Sequence, residues 1–284
     1  MKRIAHLGPP GTYGEEALRA ALGELLGSVE LAPLETNRDV VLAVESGSAD
    51  VGFVPIENSV EGAVTETLDA LVHDAPNVQI VGELVFAVHH CLIAAQPTEL
   101  GEITTVTSHP QALAQCNEFI HDNLPGASRL AQVSTAEAVK QAIAQPGVAA
   151  IGSRIAADTY GGTVLAESIE DSSGNLTRFV WLSKQPVEEI GDNGDGAAKT
   201  SLVFSGFNDT SPGALVSILS EFAYRSVNMS KIESRPERTT LGHYLFFVDL
   251  DGSVADEAVA NAIEAIRGKV RQLRVLGSFK AFEA

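Results

Sequence analysis

The residues Asn175 to Phe179, NLTRF, set a hydroxyl beside a guanidinium at the mouth of a strand whose body is the apolar run Val180 to Leu182. Thr177 can donate a hydrogen bond, and Arg178 can grip a carboxylate with a two-pronged fork. Gly174 and Asn175 let the chain turn sharply into that strand. The chemistry suggested is a hydrogen-bond donor working beside a bound carboxylate. Threonine also opens strands for its β-propensity, and an adjacent arginine usually faces water. The pair gains meaning from other polar clusters placed at strand ends.

The first cluster is GPPGTYG, Gly8 to Gly14, between a buried strand (Arg3 to Gly8) and a helix expected over Glu15 to Leu26. Glycines at such a junction cradle phosphates. Here Gly14 is followed by Glu15 and Glu16 where a phosphate loop needs Lys and Ser or Thr, and the spacing misses GxGxxG. Thr12, Tyr13 and the amides at the helix start therefore suit a carboxylate better than a triphosphate. In the second cluster, Glu57, Asn58 and Ser59 follow the apolar strand Val51 to Ile56, the usual ligand position of an open α/β sheet. Capping of the helix expected over Ala63 to Val72 is the alternative role for those three. The third cluster is Ser108, His109 and Gln111, between the strand Thr104 to Thr107 and a helix. That helix buries Ala112, Leu113, Cys116, Phe119 and Ile120 on one face, and Pro110 suits its first turn. His89 and His90 would point to opposite faces of a strand and so cannot chelate one metal ion. Cys91 and Cys116 lack CxxC spacing and read as small core residues.

These clusters need a scaffold, and the chain is long enough for more than one domain, with 284 residues of which 45% are hydrophobic and 20% charged. The 37 acidic residues against 19 basic ones leave a formal charge of −18, which repels nucleic acid and anionic membrane surfaces. An anionic ligand therefore needs a local pocket of donors. No apolar run approaches the roughly 20 residues of a membrane span. The opening MKRIAHLGPPGTYG has no signal-peptide core, so a cytoplasmic location is expected.

Strands and helices alternate through residue 160, which predicts parallel sheets. After the elements above come a strand at Val29 to Leu34, a helix at Asn37 to Ser46, a strand at Arg129 to Val133 and a helix at Thr135 to Ala144. A strand at Val148 to Ile151 and a helix from Ser153 to Tyr160 complete the series. The long apolar run Val78 to Ala94 reads as a crossing into a second lobe, and 163–183 as the return. The expected result is a two-lobed cleft with NLTRF on its hinge side. Lys184 to Lys199 loses all periodicity and reads as a linker. Beyond it the order is βαββαβ, the ferredoxin-like arrangement, with strands at Thr200 to Phe207, Met229 to Ser234, His243 to Leu250 and Gln272 to Phe279. Helices are expected over Gly213 to Ser226 and Asp256 to Arg267. The domains are thus 1–183 and 200–284.

GPPGTYG, VPIENSVEG, HPQALAQC, AAIGS (Ala149 to Ser153) and NLTRF occur in the order of the motifs of the prephenate dehydratase family, which this chain resembles. GALVSIL and ESRP (Glu233 to Pro236) resemble the phenylalanine-binding motifs of that family's ACT domain. The resemblance spans the chain apart from the linker, and its lack of a chorismate mutase segment is that of the monofunctional bacterial form. One departure is Gly14, where many relatives are expected to carry a hydroxyl.

The resemblance implies a periplasmic-binding-protein-like α/β catalytic domain and a regulatory ACT domain. It implies loss of water and carbon dioxide from prephenate to give phenylpyruvate, in phenylalanine biosynthesis, with no redox cofactor and no metal. Thr177 matches the family's essential threonine, the group that hydrogen-bonds or protonates the departing hydroxyl, with a relay ending in Glu57 or His109 as the easier acid. Arg178, Asn58, Ser59, Thr12, Tyr13, Phe179, Ser108 and Gln111 are the expected substrate contacts. L-Phenylalanine is the expected effector, held by Gly213, Ala214, Leu215, Val216, Asn228, Glu233, Ser234, Arg235 and Pro236 between subunits of a homodimer or homotetramer. Two competing readings are a dehydratase that prefers arogenate and a non-catalytic metabolite sensor.

Overall fold

The computed structural model describes residues 1–187, 196–207, 211–237 and 242–281. The first lobe holds β1 (Lys2–Leu7), α1 (Tyr13–Leu22), β2 (Val29–Leu34), α2 (Asn37–Ser46), β3 (Val51–Asn58), β4 (Gly62–Ala63), α3 (Thr65–His73) and β5 (Gln79–Ala87). The second holds β6 (Cys91–Ala94), β7 (Thr105–Ser108), α4 (Pro110–Gln115), α5 (Asn117–Asn123), β8 (Ser128–Ala131), α6 (Thr135–Ile143), β9 (Val148–Gly152), α7 (Arg154–Tyr160) and β10 (Thr163–Ala166). The chain returns to the first lobe as β11 (Leu176–Ser183). It then forms β12 (Ala198–Ser205), α8 (Ala214–Ala223), β13 (Met229–Pro236), β14 (Tyr244–Asp251), α9 (Glu257–Arg267) and β15 (Gln272–Lys280).

The lobe crossings fall where the apolar run and the return were expected. The sheets, however, are mixed and not purely parallel. The first sheet runs β2-β1-β3-β11-β5, with β4 beside β3, and β11 is antiparallel to both neighbours because it arrives from the other lobe. The second runs β10-β6-β9-β7-β8, with its two crossing strands β6 and β10 antiparallel to their neighbours.

Local chemistry explains most boundaries. Thr12, Thr36, Ser134 and Ser153 each accept a backbone N–H from the first turn of the helix they cap. The helix expected to reach Leu26 ends at Gly23, whose φ of 50° leaves the helical region, and continues as a 3-10 turn. The helix expected through Ile120 breaks at Cys116, with φ −118° and ψ 27°. Glu57 and Asn58 extend β3 and pair with Ala63 and Gly62 in a tight hairpin, so they cap no helix.

The C-terminal strands form the antiparallel order β13-β14-β12-β15, that of the expected βαββαβ unit. Leu202, Phe204, Val248 and Leu250 pack against Phe222 of α8 and Ile263 of α9. The alternate residues Val203, Leu245, Phe247, Leu276 and Phe279 join Ile56, Leu68, Leu71 and Ile80 of the first lobe in one core. The two-residue period of the strands thus feeds two different cores. Three carbonyls near the end of α3, those of Leu71, Ala75 and Val78, accept from the Arg274 guanidinium at 2.6, 2.9 and 2.5 Å. The centre of the expected linker, 188–195, lies outside the described residues. No helix among the described residues is long and apolar enough to cross a membrane.

The C-terminal sheet docks closely at Gly277, where an added Cβ would stand 2.0 Å from the Ile80 carbonyl oxygen. Gly277→Ala is expected to lower unfolding stability by about 1–3 kcal/mol, the usual cost of overpacking. Urea midpoints measure it, with Gly101→Ala as the control, since an added Cβ there meets nothing within 4 Å. Equal midpoints would show that the two sheets are not packed this closely.

Candidate active site

A cleft of about 370 Å³ between the lobes gathers the polar strand ends. Thr12 and Tyr13 at the start of α1, Asn58 at the end of β3, and Thr177 and Phe179 of β11 line its first-lobe side. His90, His109, Gln111, Gln115, Ser134 and Thr135 line the other. The glycine loop is tied to the second lobe, for the Ser153 hydroxyl donates to Gly11 O and that of Tyr160 to Pro10 O, both at 2.7 Å.

Asn58 organises the floor. Its Oδ1 accepts the backbone N–H groups of Val60 and Glu61 at 2.9 and 3.0 Å, which fixes which end of the amide carries nitrogen. Its Nδ2 then donates to Thr177 Oγ1 and to Asn175 Oδ1, each at 2.8 Å. An amide nitrogen can only donate, so Thr177 Oγ1 accepts and keeps its own hydrogen for a ligand. The Phe179 ring stacks on Phe53 with centroids 4.9 Å apart, forming an apolar wall. A Cβ on Gly14 would meet Phe179 at 3.6 Å and Thr12 Oγ1 at 3.8 Å, ordinary contacts, so the hydroxyl residue expected there would fit.

Several expected contacts lie elsewhere. Strand alternation sends Arg178 and Glu57 away from the cleft that Thr177 and Asn58 face. Arg178 is instead inserted among Glu57, Glu83 and Asp249, with nitrogen to oxygen distances of 3.1, 3.0 and 2.8 Å. Burial opposes its charge, but Asp249, Glu83 and Glu57 outweigh burial and raise its pKa. Glu57 also pairs with Lys231 at 3.1 Å, so neither it nor Arg178 is placed to touch a ligand. Ser108 is fully buried and donates to Ile151 O at 2.6 Å. Ser59 donates to Gly174 O at 2.8 Å and accepts Leu176 N–H at 2.9 Å, pinning the turn into β11. In the glycine loop the Gly11 amide donates to the chain's own Glu15 at 2.7 Å. The Tyr13 hydroxyl contacts His90 Nδ1 at 2.5 Å.

Gln115 and His90 escaped the sequence reading. Gln115 stands four residues after Gln111, on the same helical face in sequence terms, which is a usable signal. His90 looked like one of a strand pair, but β5 ends at Ala87 and the crossing chain turns it into the cleft.

The model of the family described as prephenate dehydratase matches residues 4–187. The chain belongs to the prephenate dehydratase family. It is 39% identical over 279 residues to the prephenate dehydratase of Amycolatopsis methanolica, covering 98% of this chain and 88% of that one. The solved prephenate dehydratase of Arthrobacter aurescens, in complex with L-Phe, is similar with a TM-score of 0.86 and 35% identity, over 98% of this chain and 90% of that one. A structure described as a novel type of quorum quenching acylase has the same TM-score of 0.86 at 28% identity, over 99% and 98% of the two chains.

The residues expected to hold an effector divide between two faces. Gly213 precedes α8 with φ 81° and has open space around it, and Val216 on the first turn is 65% exposed. Ala214 opens the helix, and Leu215 packs on the helix-side core. Glu233, Ser234, Arg235 and Pro236 lie on the edge strand β13. Arg235 is turned to the first lobe, where it pairs with Asp69 at 2.8 Å, and Asn228 donates to Asp251 at 2.6 Å. Those two side chains are committed within the subunit, contrary to their expected role in holding an effector.

Two outcomes test this placement. Arg178→Met is expected to cost about 3–5 kcal/mol of unfolding free energy, because it leaves the buried carboxylates of Glu83 and Asp249 short of a cation. Arg178→Lys should likewise reduce stability more than it raises KM; a many-fold KM with an unchanged urea midpoint would restore Arg178 as a substrate clamp. The buried imidazoles of His6 and His90 both have pKa values lowered from 6.5, chiefly by burial. Below that pH the unfolded chain takes up protons that the folded chain refuses, so stability falls on acidification. The slope is about 1.4 kcal/mol per pH unit for each proton, and it should flatten in His6→Gln when urea midpoints are compared between pH 7 and 5.

Proposed function

We propose that the protein converts prephenate to phenylpyruvate, water and carbon dioxide, with Thr177 as the donor to the departing hydroxyl. Family membership makes it a lyase, a hydro-lyase of the prephenate dehydratase class. The observation that carries the residue assignment is the Asn58 to Thr177 hydrogen bond, which leaves the threonine hydrogen free on the cleft side. As hydroxide leaves the ring, the electron pair of the breaking carbon–carboxylate bond moves into the ring, which becomes aromatic. The protein has to stabilise the leaving oxygen and hold the ring. A threonine is a weak acid, so its share is a hydrogen bond that strengthens as negative charge develops. Of the two relay acids considered, His109 lines the cleft and Glu57 does not. Phe53 and Phe179 offer an apolar wall to the ring. Among the described residues lining the cleft none is Lys or Arg, so the substrate's carboxylates meet neutral donors such as Gln111 and Gln115.

An acylase needs a nucleophile with an adjacent base. Thr177 has an amide donor beside it, which favours the dehydratase reading. We infer also that L-phenylalanine regulates the enzyme at the C-terminal unit. Support comes from the L-Phe complex of the Arthrobacter aurescens relative, from the open glycine turn at Gly213 and from the position of Glu233 and Ser234 on an edge strand. Ile232 and Tyr244, each 42% exposed near that edge, offer apolar area to a second copy in a homodimer or homotetramer.

Purified protein with prephenate at neutral pH should form phenylpyruvate, and Thr177→Ala should lower kcat by about 10² or more with a smaller change in KM. Turnover of arogenate in preference to prephenate would transfer the assignment to that substrate, and binding without turnover of either would make the protein a sensor. Added phenylalanine should reduce the rate. Gly213→Ala or Glu233→Ala should raise the inhibitory concentration about tenfold while uninhibited turnover is kept, and full sensitivity in both variants would place the effector elsewhere.

A further inference from the structure

His90 is 2% exposed, lines the cleft, and has no part in the chemistry derived above. Its backbone is anchored at the lobe crossing by Glu170, which accepts the His90 N–H at 2.9 Å and lies 2.8 Å from His89 Nδ1. Both ring nitrogens have partners. Nδ1 is 2.5 Å from the Tyr13 hydroxyl, and Nε2 is 2.8 Å from Gln115 Oε1.

The direction of each hydrogen bond follows from backbone groups whose polarity is not adjustable. The Val60 and Glu61 amides fill Asn58 Oδ1, so Asn58 presents nitrogen to Asn175 Oδ1. Asn175 must then present its own nitrogen, which donates to Gln115 Oε1 at 3.2 Å. That oxygen can only accept, so His90 Nε2 carries a hydrogen, Nδ1 carries the lone pair, and the Tyr13 hydroxyl donates to it. Burial favours the neutral form of both rings, raising the phenol pKa and lowering that of the imidazole. With two donors on its oxygen, Gln115 leaves a buried Nε2 that has no protein partner among the described residues. Its hydrogens are the donors that the network leaves to a ligand.

We propose that His90 is a positioning residue: as the Nε2–H tautomer that the Gln115 oxygen selects and the Tyr13 hydroxyl accommodates by donating to Nδ1, it helps hold Gln115 with its amide nitrogen toward the cleft, where it donates to a substrate carboxylate or keto oxygen. A glutamine turned the other way would present an acceptor and repel the same oxygen. The network therefore selects an oxygen acceptor over an ammonium group at this point of the cleft. The inference rests on the prephenate dehydratase reading for the identity of the substrate, and on hydrogen-bond polarity for the tautomer.

The test combines kinetics with a direct view of the ring. His90→Phe is expected to raise KM for prephenate about tenfold, the scale of one lost hydrogen bond to a charged group, with a smaller change in kcat. His90→Gln, which keeps an N–H for Gln115, should recover most of that loss. In a Gln115→Ala background His90→Phe should cost nothing further, since its effect passes through Gln115. Additive losses, or an unchanged KM in His90→Phe, would overturn the proposal. Nitrogen-15 NMR of histidine-labelled wild-type protein at neutral pH should show His90 with a bare Nδ1 and a protonated Nε2. The opposite tautomer overturns the proposal even if the variants fail to fold. Absence of wild-type turnover would remove the substrate reading and leave the tautomer result standing.

Discussion

A side chain directly behind the cleft holds the molecule together. Arg178 follows Thr177 on β11, but its guanidinium is buried among Glu57 of β3, Glu83 of β5 and Asp249 of β14. Lys231 joins Glu57 from β13, and Lys199 joins Glu83 from β12 at 2.5 Å. Three carboxylates thus meet three cations, and a buried set of charges is tolerable only when it is matched in this way. Each strand of the first sheet that frames Thr177 contributes a charge to this set. The C-terminal unit supplies the rest, so the position of that unit and the course of β11 are linked through shared partners.

The same arrangement sets the character of the cleft. With Arg178 consumed in the scaffold, the polar lining of the cleft is, apart from the exposed carboxylate of Glu61, made of amides, hydroxyls and imidazoles beside an aromatic wall. Neutral donors held in one orientation by their neighbours recognise carboxylates without a desolvated counter-charge. Orientation then becomes the scarce quantity, and the amide chain from Val60 and Glu61 through Asn58, Asn175 and Gln115 supplies it. It crosses from one lobe to the other, so the relative position of the lobes and the orientation of the donors depend on each other.

Much of the architecture was legible in the chain. Alternating apolar strands and capped helices mark the elements, the apolar run near residue 80 marks the crossing, and the βαββαβ order marks the second unit. The failures have physical causes. Gly23 and Cys116 cut helices whose apolar spacing continued past them. The strand directions went astray because helix and strand alternation says nothing of a strand that returns from another lobe. Sequence patterns placed Thr177, Asn58, His109 and Gln111 at strand ends that do meet in the cleft. They could not separate these from Glu57, Arg178, Ser59 and Ser108, which have the same chemistry and face elsewhere.

By itself the sequence determined most of the elements, their order and the motifs of the prephenate dehydratase family, because these depend on residue type and near-neighbour spacing. Only the tertiary structure decided which member of each adjacent pair reaches the cleft. A strand turns neighbours to opposite sides, and the side that is cleft or interface depends on what packs there. It also decided that His90, Gln115 and Tyr13 meet, for these residues come from different segments and both lobes. Hydrogen-bond polarity, the property that makes Thr177 a donor, exists only once those segments are assembled.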